Sequence, residues 1–220
     1  MCRCCCRATE LDVTEIKICG VRDSAGADAV AKAGAEWVGF VFFPASPRAT
    51  TPAEAGLLAA RHPGGPKAVG LFVEPTDEDV ERALAKVPLA ALQVHAGSAR
   101  AAALQRRFGV PVWWAAGVVG QADLPVEAPG VTRLLLDRKA AADAPAPGGN
   151  AEAFDWSVLR GWAPPVPWVL AGGLTPGNVA SAIRETGAAA VDVSSGVERR
   201  RGEKDPALIA AFVAAVRGVG

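Results

Sequence analysis

The stretch "EIKICGVRDSAGADAVAKAGAEWVGFVF", residues 15–42, decides the fold that the sequence predicts. A short apolar strand at 15–19 is followed by an alanine-rich amphipathic segment at 24–34 and a second apolar strand at 36–42. Two strands joined through a helix pair in parallel, because the helix provides the long connection that a parallel pair needs. The stretch therefore predicts one unit of a parallel α/β fold.

The first strand also carries an alternation. Ile16 and Ile18 fall on one face, and Glu15, Lys17 and Cys19 fall on the other, because successive strand residues point to opposite sides. A thiol thus stands where the strand stops and a glycine turns the chain. The alternation singles out this end of the strand as a candidate site.

The same unit repeats along the chain. Strand-like apolar runs lie at 15–19, 36–42, 68–73, 89–95, 111–116, 132–137, 167–172 and 189–195. Helical segments lie at 24–34, 52–61, 77–86, 98–108, 121–128 (weakly), 155–161, 176–186 and 206–217. Eight such units in about 200 residues predict a single (β/α)8 TIM barrel over residues 15–220. An open doubly wound sheet is the structural alternative, although no Gly-x-Gly-x-x-Gly follows the first strand.

Helix starts are indicated by capping residues. Five residues stand where N-caps belong, namely Asp23, Thr51, Thr76, Thr175 and Asp205. The segment 138–153, rich in alanine, proline and glycine, falls inside the repeating pattern and is interpreted as a mobile active-site loop after the sixth strand.

Composition narrows the class of partner. The chain has 220 residues, and its 23 basic and 23 acidic residues balance. This balance argues against nucleic acid and against a polybasic membrane patch. The longest charge-free run, 161–183, is interrupted by prolines and glycines, and no apolar signal segment follows Met1. We expect a cytoplasmic protein with a small-molecule partner.

Four cysteines crowd the first six residues, at positions 2, 4, 5 and 6. Their spacing lacks the paired C-x-x-C pattern of zinc sites, so residues 1–14 are interpreted as a short disordered N-terminal extension without a metal. A redox- or metal-responsive binding protein acting through these cysteines is the alternative of another class.

Chemistry-bearing residues recur at the predicted strand ends. Cys19, Arg48, His95 and Asp137 follow four different strands, and in a barrel all such ends surround one mouth. Taken singly, each has an ordinary explanation: Cys19 as a small buried residue, Asp137 as a turn residue, Arg48 as a solvated loop residue and His95 as a structural histidine. Together they are the groups of a site that binds an anionic sugar and moves protons.

Two loops predict a phosphate site. "GGLTPGN" follows the seventh strand and "SSGVE" the eighth, and loops at these places are the usual phosphate site of such barrels. Glycines let backbone N–H groups approach an anion, and a helix N-terminus adds a favourable dipole. Glycine also ends strands for conformational reasons alone, which is the plainer explanation.

The motifs, in order, resemble phosphoribosylanthranilate isomerase. They are "KICG" (17–20), "GFVFFPASPR" (39–48), "VGLFV" (69–73), "LQVH" (92–95), "LLLD" (134–137), "FDW" (154–156), "LAGGLTPGNV" (170–179), "VDVSSGVE" (191–198) and "GEKD" (202–205). The resemblance implies an Amadori rearrangement of N-(5-phosphoribosyl)anthranilate to an aminoketose phosphate in tryptophan biosynthesis. It implies no cofactor, because the nitrogen of the substrate is the electron sink.

Site roles follow from the same resemblance. Cys19 is expected to be the general base and Asp137 the general acid, with Arg48 holding the anthranilate carboxylate. The residues expected to bind substrate are Arg48, His95, Asp192, Gly172, Gly173, Ser194, Ser195 and Gly196. Whether the enzyme is a monomer or a homodimer stays open.

The chain departs from the family pattern at a few positions. Ala96 follows His95 where the family has glycine, and Ala151 and Glu152 stand where a glycine and a lysine are usual. These departures concern loop closure and phosphate affinity. Two other phosphosugar barrels are near alternatives. Indole-glycerol-phosphate synthase would need a catalytic lysine near the end of strand one, and the histidine-pathway isomerase an aspartate in place of Cys19.

Overall fold

The computed structural model describes residues 13–139 and 155–219, in which eight parallel strands close into a barrel. The strands are Glu15–Cys19 (β1), Trp37–Val41 (β2), Lys67–Val73 (β3), Leu89–His95 (β4), Val112–Val118 (β5), Arg133–Arg138 (β6), Trp168–Leu170 (β7) and Ala190–Val193 (β8). Each pairs with its neighbours in the sequence, and β8 returns to β1, where Ile16 faces Val191. The predicted (β/α)8 barrel is confirmed, and the open sheet is excluded.

Six α-helices, rather than the eight predicted, connect the strands in the described part of the chain. They are Ser24–Ala33 (α1), Pro52–Ala59 (α2), Asp77–Leu84 (α3), Ser98–Phe108 (α4), Val179–Thr186 (α5) and Pro206–Arg217 (α6). The helices predicted at 121–128 and 155–161 are wrong: each place holds one short 3-10 turn, Gln121–Asp123 and Trp156–Leu159. Pro125 explains the first, since it lacks the N–H that a continuing helix would need.

Most of the predicted caps are confirmed. Thr51 and Thr76 accept backbone hydrogen bonds from the third residue of α2 and α3 in full capping boxes, an arrangement worth about 1 kcal/mol per helix. Thr175 is not a cap. Asn178 stands before α5, and its side chain binds the Thr175 N–H at 2.7 Å, so the helix begins later than predicted.

The alternation of β1 is as predicted. Ile16 and Ile18 have no exposed surface and pack in the core between barrel and helices, whereas Lys17 and Cys19 point into the barrel. Trp113 and Trp114 divide in the same way on β5, with Trp113 inside the barrel. Alternate positions along a strand therefore pack into two different cores, one inside the barrel and one between the barrel and the helices.

Polar groups close the barrel interior at the N-terminal ends of the strands. Glu15 pairs with Arg133 at 2.5 Å and accepts a hydrogen bond from the Trp37 indole at 3.0 Å. Above them, Trp113 and small apolar residues fill the centre. The C-terminal mouth is therefore the end available for a site.

A short antiparallel hairpin follows β8 and was not predicted. Its strands are Glu198–Arg200 (β9) and Glu203–Lys204 (β10), and the turn between them contains Gly202 at φ +82°. Such short, charged strands have no hydrophobic periodicity for a sequence pattern to show.

Some predictions lie outside the described residues. They are those for the cysteines at positions 2, 4, 5 and 6, for the body of the loop at 138–153, and for Ala151 and Glu152. Within residues 13–139 and 155–219, no helix is long and apolar enough to cross a membrane.

Candidate active site

Cys19 lies at the end of β1, at the mouth of the barrel. Its side chain is buried, and Lys17, one layer deeper on the same face, lies beside it, so that the lysine charge acts on the sulfur. Gly39 on the neighbouring strand makes room for this pair. A Cβ there would lie 3.0 Å from the Cys19 sulfur and 3.2 Å from Cε of Lys17. The sequence places a thiol and a cation in contact where any larger residue at position 39 would push against them.

Lys17 is fully buried and pairs with Asp192 on β8, with Nζ 2.8 Å from the Asp192 carboxylate. Burial alone would lower the pKa of Lys17, but Asp192 and the Cys19 sulfur outweigh it and raise that pKa. Lys17 is therefore a cation. A buried charge of this kind persists only when paired and hydrogen-bonded, which Asp192 and Cys19 provide.

The Cys19 thiol has opposing influences on its ionisation. Burial raises its pKa above the ordinary value and the Asp192 carboxylate adds to this, while Lys17 and, more weakly, Lys204 lower it. The net direction is upward. A small thiolate fraction at neutral pH thus depends on the two lysines beside the sulfur.

Asp137 is the last residue but one of β6, and it is partly buried. Burial and the negative charge of Asp192 raise its pKa to about 7, while the N–H of Arg138, at 2.8 Å, and Lys17 oppose the rise. Gly172, after β7, gives this carboxyl its space, since a Cβ there would lie 3.0 Å from an Asp137 oxygen. A carboxyl that titrates near neutrality can donate a proton at physiological pH.

Cys19 and Asp137 stand at the same end of the barrel, because β1 and β6 run in parallel and both residues lie at the C-terminal ends of these strands. The charges of Lys17 and Asp192 act on both groups, raising or lowering each pKa. The buried Lys17–Asp192 pair is therefore a charged neighbour of both the thiol and the carboxyl. The structure thus brings together the two residues that the sequence predicted as base and acid.

Arg48 lies in the loop after β2, buried against the backbone after Cys19. Gly20 has φ +76°, and a Cβ there would lie 2.6 Å from Cδ of Arg48, so only glycine lets the arginine pack over this turn. The Arg48 guanidinium binds the Glu198 carboxylate through Nε at 2.7 Å and Nη2 at 2.9 Å. Arg48 is therefore held in place by a protein carboxylate, and is not the solvated loop residue of the plainer explanation.

His95 ends β4 on the same rim. Burial and the charge of Lys17 lower its pKa to about 4, so the imidazole is neutral at physiological pH. Its Nε2 lies 3.0 Å from the Gln93 amide nitrogen. With that nitrogen as acceptor, the other ring nitrogen is left as a neutral hydrogen-bond donor at the rim.

The two predicted phosphate loops touch each other. Gly196, in the short 3-10 turn Ser195–Val197, approaches the backbone of Leu174 so closely that a Cβ would lie 1.9 Å from the Leu174 oxygen. Gly172 and Gly173 both have positive φ, at +83° and +63°. The loops after β7 and β8 thus lie against each other beside a short extra turn, at the place where this fold usually holds phosphate.

Ser194 joins these loops to the end of β1. Its hydroxyl donates to the Cys19 backbone oxygen at 3.1 Å, and Lys204 donates to the Ser194 backbone oxygen at 2.9 Å. Sequence reasoning missed Gln93, Glu198 and Lys204 as parts of the site. It named Lys17 but could not place it, because its partner lies 175 residues away along the chain.

Fold and site define the class: a (β/α)8 barrel with a thiol, a carboxyl and two glycine-lined loops at the C-terminal ends of its strands. The family model described as N-(5'-phosphoribosyl)anthranilate (PRA) isomerase matches residues 16–215. The chain belongs to the N-(5'-phosphoribosyl)anthranilate isomerase family.

Individual relatives agree over nearly the whole chain. N-(5'-phosphoribosyl)anthranilate isomerase of Granulibacter bethesdensis is 52% identical over 206 residues, covering 93% of this chain and 99% of the relative. That of Acidiphilium cryptum is 52% identical over 199 residues, covering 90% and 96%.

Solved structures agree as well. The dimeric Thermotoga maritima enzyme, studied as monomers, is similar at TM-score 0.79 and 34% identity, with 93% and 99% covered. A phosphoribosyl anthranilate isomerase in complex with reduced 1-(o-carboxyphenylamino)-1-deoxyribulose 5-phosphate is similar at TM-score 0.78 and 32% identity, with the same coverage.

Proposed function

We propose that this chain isomerises N-(5'-phosphoribosyl)anthranilate to 1-(o-carboxyphenylamino)-1-deoxyribulose 5-phosphate, an Amadori rearrangement in tryptophan biosynthesis. One observation carries the proposal: Cys19 and Asp137 end different strands of one mouth and are both coupled to the buried Lys17–Asp192 pair. An aldose-to-ketose rearrangement needs an acid and a base on opposite sides of the sugar, and Cys19 and Asp137 stand on β1 and β6, which are not neighbours in the barrel.

The first half of the reaction opens the ring. Asp137, protonated in part because its pKa is about 7, donates its proton to the furanose oxygen as the bond from C1 to that oxygen breaks. The anthranilate nitrogen supplies its lone pair, so that C1 and nitrogen form an iminium ion. Asp137 becomes a carboxylate, and the substrate carries the positive charge.

The second half moves a hydrogen. The Cys19 thiolate removes the proton from C2, and the electron pair of that C–H bond forms the C1–C2 double bond while the iminium π electrons return to nitrogen. The resulting enolamine tautomerises to the aminoketone. Lys17, in contact with the sulfur, stabilises the thiolate before this step and is itself held by Asp192.

Substrate binding follows the charges around the mouth. The glycine-lined loops with Gly173, Ser195 and Gly196 suit the phosphate, since backbone N–H groups can approach an anion there. Arg48 suits the anthranilate carboxylate. Asp192 and the neutral His95 face the sugar between them, one as an acceptor and the other as a donor of hydrogen bonds.

We further infer that the enzyme acts in the cytoplasm, as a monomer or homodimer, on this small phosphosugar and without a metal or organic cofactor. The balanced composition and the absence of a spanning helix in the described residues are consistent with that setting.

The function is tested by turnover and by complementation. The purified chain should convert N-(5'-phosphoribosyl)anthranilate, and its gene should restore growth without tryptophan to a strain that lacks this step. A variant without residues 1–10 should do the same, because every described site residue lies later in the chain. Loss of activity in that variant would favour the cysteine-based binding protein instead.

Arg48→Ala is expected to weaken substrate binding, because the variant loses the guanidinium that suits the anthranilate carboxylate. We expect KM to rise about 10-fold or more, since a hydrogen-bonded charged contact contributes about 1.5–3 kcal/mol. Arg61→Ala is the matched control: Arg61 is exposed and pairs with Asp28 at the end of α2. Unchanged KM and kcat in the Arg48 variant would remove this residue from the site.

A further inference from the structure

Behind Arg48 the β9–β10 hairpin places two more charged side chains. The Glu198 carboxylate binds Arg48 on one side and Lys204 on the other, with Nζ of Lys204 at 2.8 Å. The side chains of Arg48, Glu198 and Lys204 are only 6%, 4% and 1% exposed. The N–H of Gly202, in the hairpin turn, adds a fourth hydrogen bond to the same carboxylate at 3.1 Å.

Lys204 connects this cluster to the backbone at the end of β1. Its Nζ donates to the backbone oxygen of Ser194 at 2.9 Å and lies 3.3 Å from the Ser194 hydroxyl. That hydroxyl donates to the backbone oxygen of Cys19. A continuous set of bonds thus runs from the Cys19 strand end, through Ser194, Lys204 and Glu198, to the Arg48 guanidinium.

The cluster has an unbalanced charge. Arg48 and Lys204 are cations, and Glu198 is their one carboxylate, so the three side chains together carry one positive charge. Hydrogen bonds from Arg48 and the charge of Lys204 outweigh burial and lower the pKa of Glu198, which keeps it ionised. Burial lowers the pKa of Lys204, and Glu198 opposes this. A buried excess charge is unfavourable until a counter-charge reaches it.

The geometry indicates where that counter-charge binds. Glu198 engages Nε and Nη2 of Arg48, so Nη1 is not part of this ion pair. The methylenes of Arg48 cannot swing away on the other side, because they pack on the Gly20 backbone. The guanidinium is therefore fixed in orientation before a ligand arrives, which reduces the entropy lost on binding.

We propose that Glu198 and Lys204 are positioning residues that select substrates carrying an aryl carboxylate: Glu198 orients Arg48 toward the carboxylate, and Lys204 ties Glu198 to Ser194 after β8. This inference rests on the proposed function and adds the residues that determine its substrate selectivity. Neither side chain needs to touch the substrate.

The test compares two ligands that differ in one group. The probes are reduced 1-(o-carboxyphenylamino)-1-deoxyribulose 5-phosphate and the same molecule without its carboxyl group, with affinities measured by calorimetry. The unmodified chain should bind the first about 10- to 100-fold more tightly, as expected for an oriented arginine–carboxylate contact. In Glu198→Gln we expect this preference to fall by about 10-fold or more, with similar affinity for the second ligand.

The direction of the change separates positioning from simple attraction. Removing the Glu198 charge raises the cluster from one positive charge to two, so attraction alone would tighten binding of the carboxylate ligand. Loss of preference therefore requires a misplaced Arg48. A preference that stays unchanged or increases in Glu198→Gln would overturn the inference.

Controls make the result specific. Glu203→Gln changes the same residue type in the same hairpin, where Glu203 pairs with Arg199 and Arg200, and should keep the full preference. If Glu198→Gln does not fold, Glu198→Asp keeps the charge one methylene shorter, and its preference should fall about 3-fold or more; an unchanged preference would overturn the inference.

Failure of the inference can be told from failure of the function. An unmodified chain that neither binds the probes nor turns over substrate would contradict the proposed function. Normal turnover with an unchanged preference in the Glu198 variants would contradict only the positioning role.

Discussion

Cys19→Ala is expected to lower kcat/KM for N-(5'-phosphoribosyl)anthranilate by at least ~10²-fold, because it removes the base that takes the C2 proton. Cys19→Ser should lose a similar amount, since an alcohol beside Lys17 ionises far less than a thiol. Steady-state turnover measures both effects. Near-normal turnover in the alanine variant would refute the role of the thiol.

Ligand binding provides the control for these two variants. The alanine substitution removes one sulfur from the end of β1 and leaves the phosphate loops and Arg48 untouched. The variant should therefore bind reduced 1-(o-carboxyphenylamino)-1-deoxyribulose 5-phosphate within a few-fold of the unmodified chain. A loss of binding as large as the loss of turnover would show that the sulfur holds the site together and is not its base.

Thiol alkylation gives an independent readout of the same group. In a chain without residues 1–10 no other cysteine is present, so iodoacetamide reports on Cys19 alone. The rate should rise with pH toward a midpoint above the ordinary thiol range, since burial raises this pKa. The reduced product should slow the reaction, because the bound ligand covers the mouth.

The sequence predicted those parts of the site that depend on local pattern. Alternation along β1 placed Cys19 and Ile16 on opposite faces, and this assignment holds because the five-residue strand pairs with β2 and β8 without a bulge. Strand ends were equally accessible to prediction. Cys19, His95 and Asp137 each end an apolar run, and in a closed parallel barrel all such ends meet at one face.

Partners across the chain could not be predicted in the same way. Lys17 meets Asp192 because β8 pairs with β1 when the barrel closes. The register of this pairing cannot be predicted from the sequence of either strand alone. Glu198 and Lys204 lie on strands of two or three residues, too short for a period. The buried charges that determine pKa values in the mouth are therefore the part of the site that required the structure.

Asp137→Asn is expected to lower kcat/KM by at least ~10²-fold and also to change the shape of its pH profile. In the unmodified chain the required form has Asp137 protonated and Cys19 ionised, although the thiol has the higher pKa of the two. Between the two pKa values the pair has lost one proton, and a small, constant fraction of these molecules has lost it from Cys19 rather than from Asp137. Activity should therefore rise through about pH 7, stay level, and fall above the Cys19 pKa.

Without the carboxyl, only Cys19 controls the profile. The limb near pH 7 should disappear, and activity should rise to a plateau at the Cys19 pKa with no alkaline fall. Asp123→Asn is the matched control, a partly exposed aspartate after β5 whose loss should keep both limbs. A bell with both limbs in the Asp137 variant would show that another group is the acid.

Stability should change in opposite directions in these two aspartate variants. The folded pKa of Asp137 is raised to about 7, so between about pH 4 and 7 the folded chain holds more protons than the unfolded one, and stability falls as pH rises through this range. Asp137→Asn should therefore raise Tm at pH 8 and change it little at pH 4.

The control variant should behave in the opposite way. Hydrogen bonds from the N–H groups of Gly120 and Val119 lower the pKa of Asp123, so the ionised Asp123 stabilises the fold at pH 8, and Asp123→Asn should lower Tm there. A lower Tm at pH 8 in Asp137→Asn would mean that the ionised carboxyl stabilises the fold. That result would contradict a catalytic acid whose raised pKa costs the fold stability.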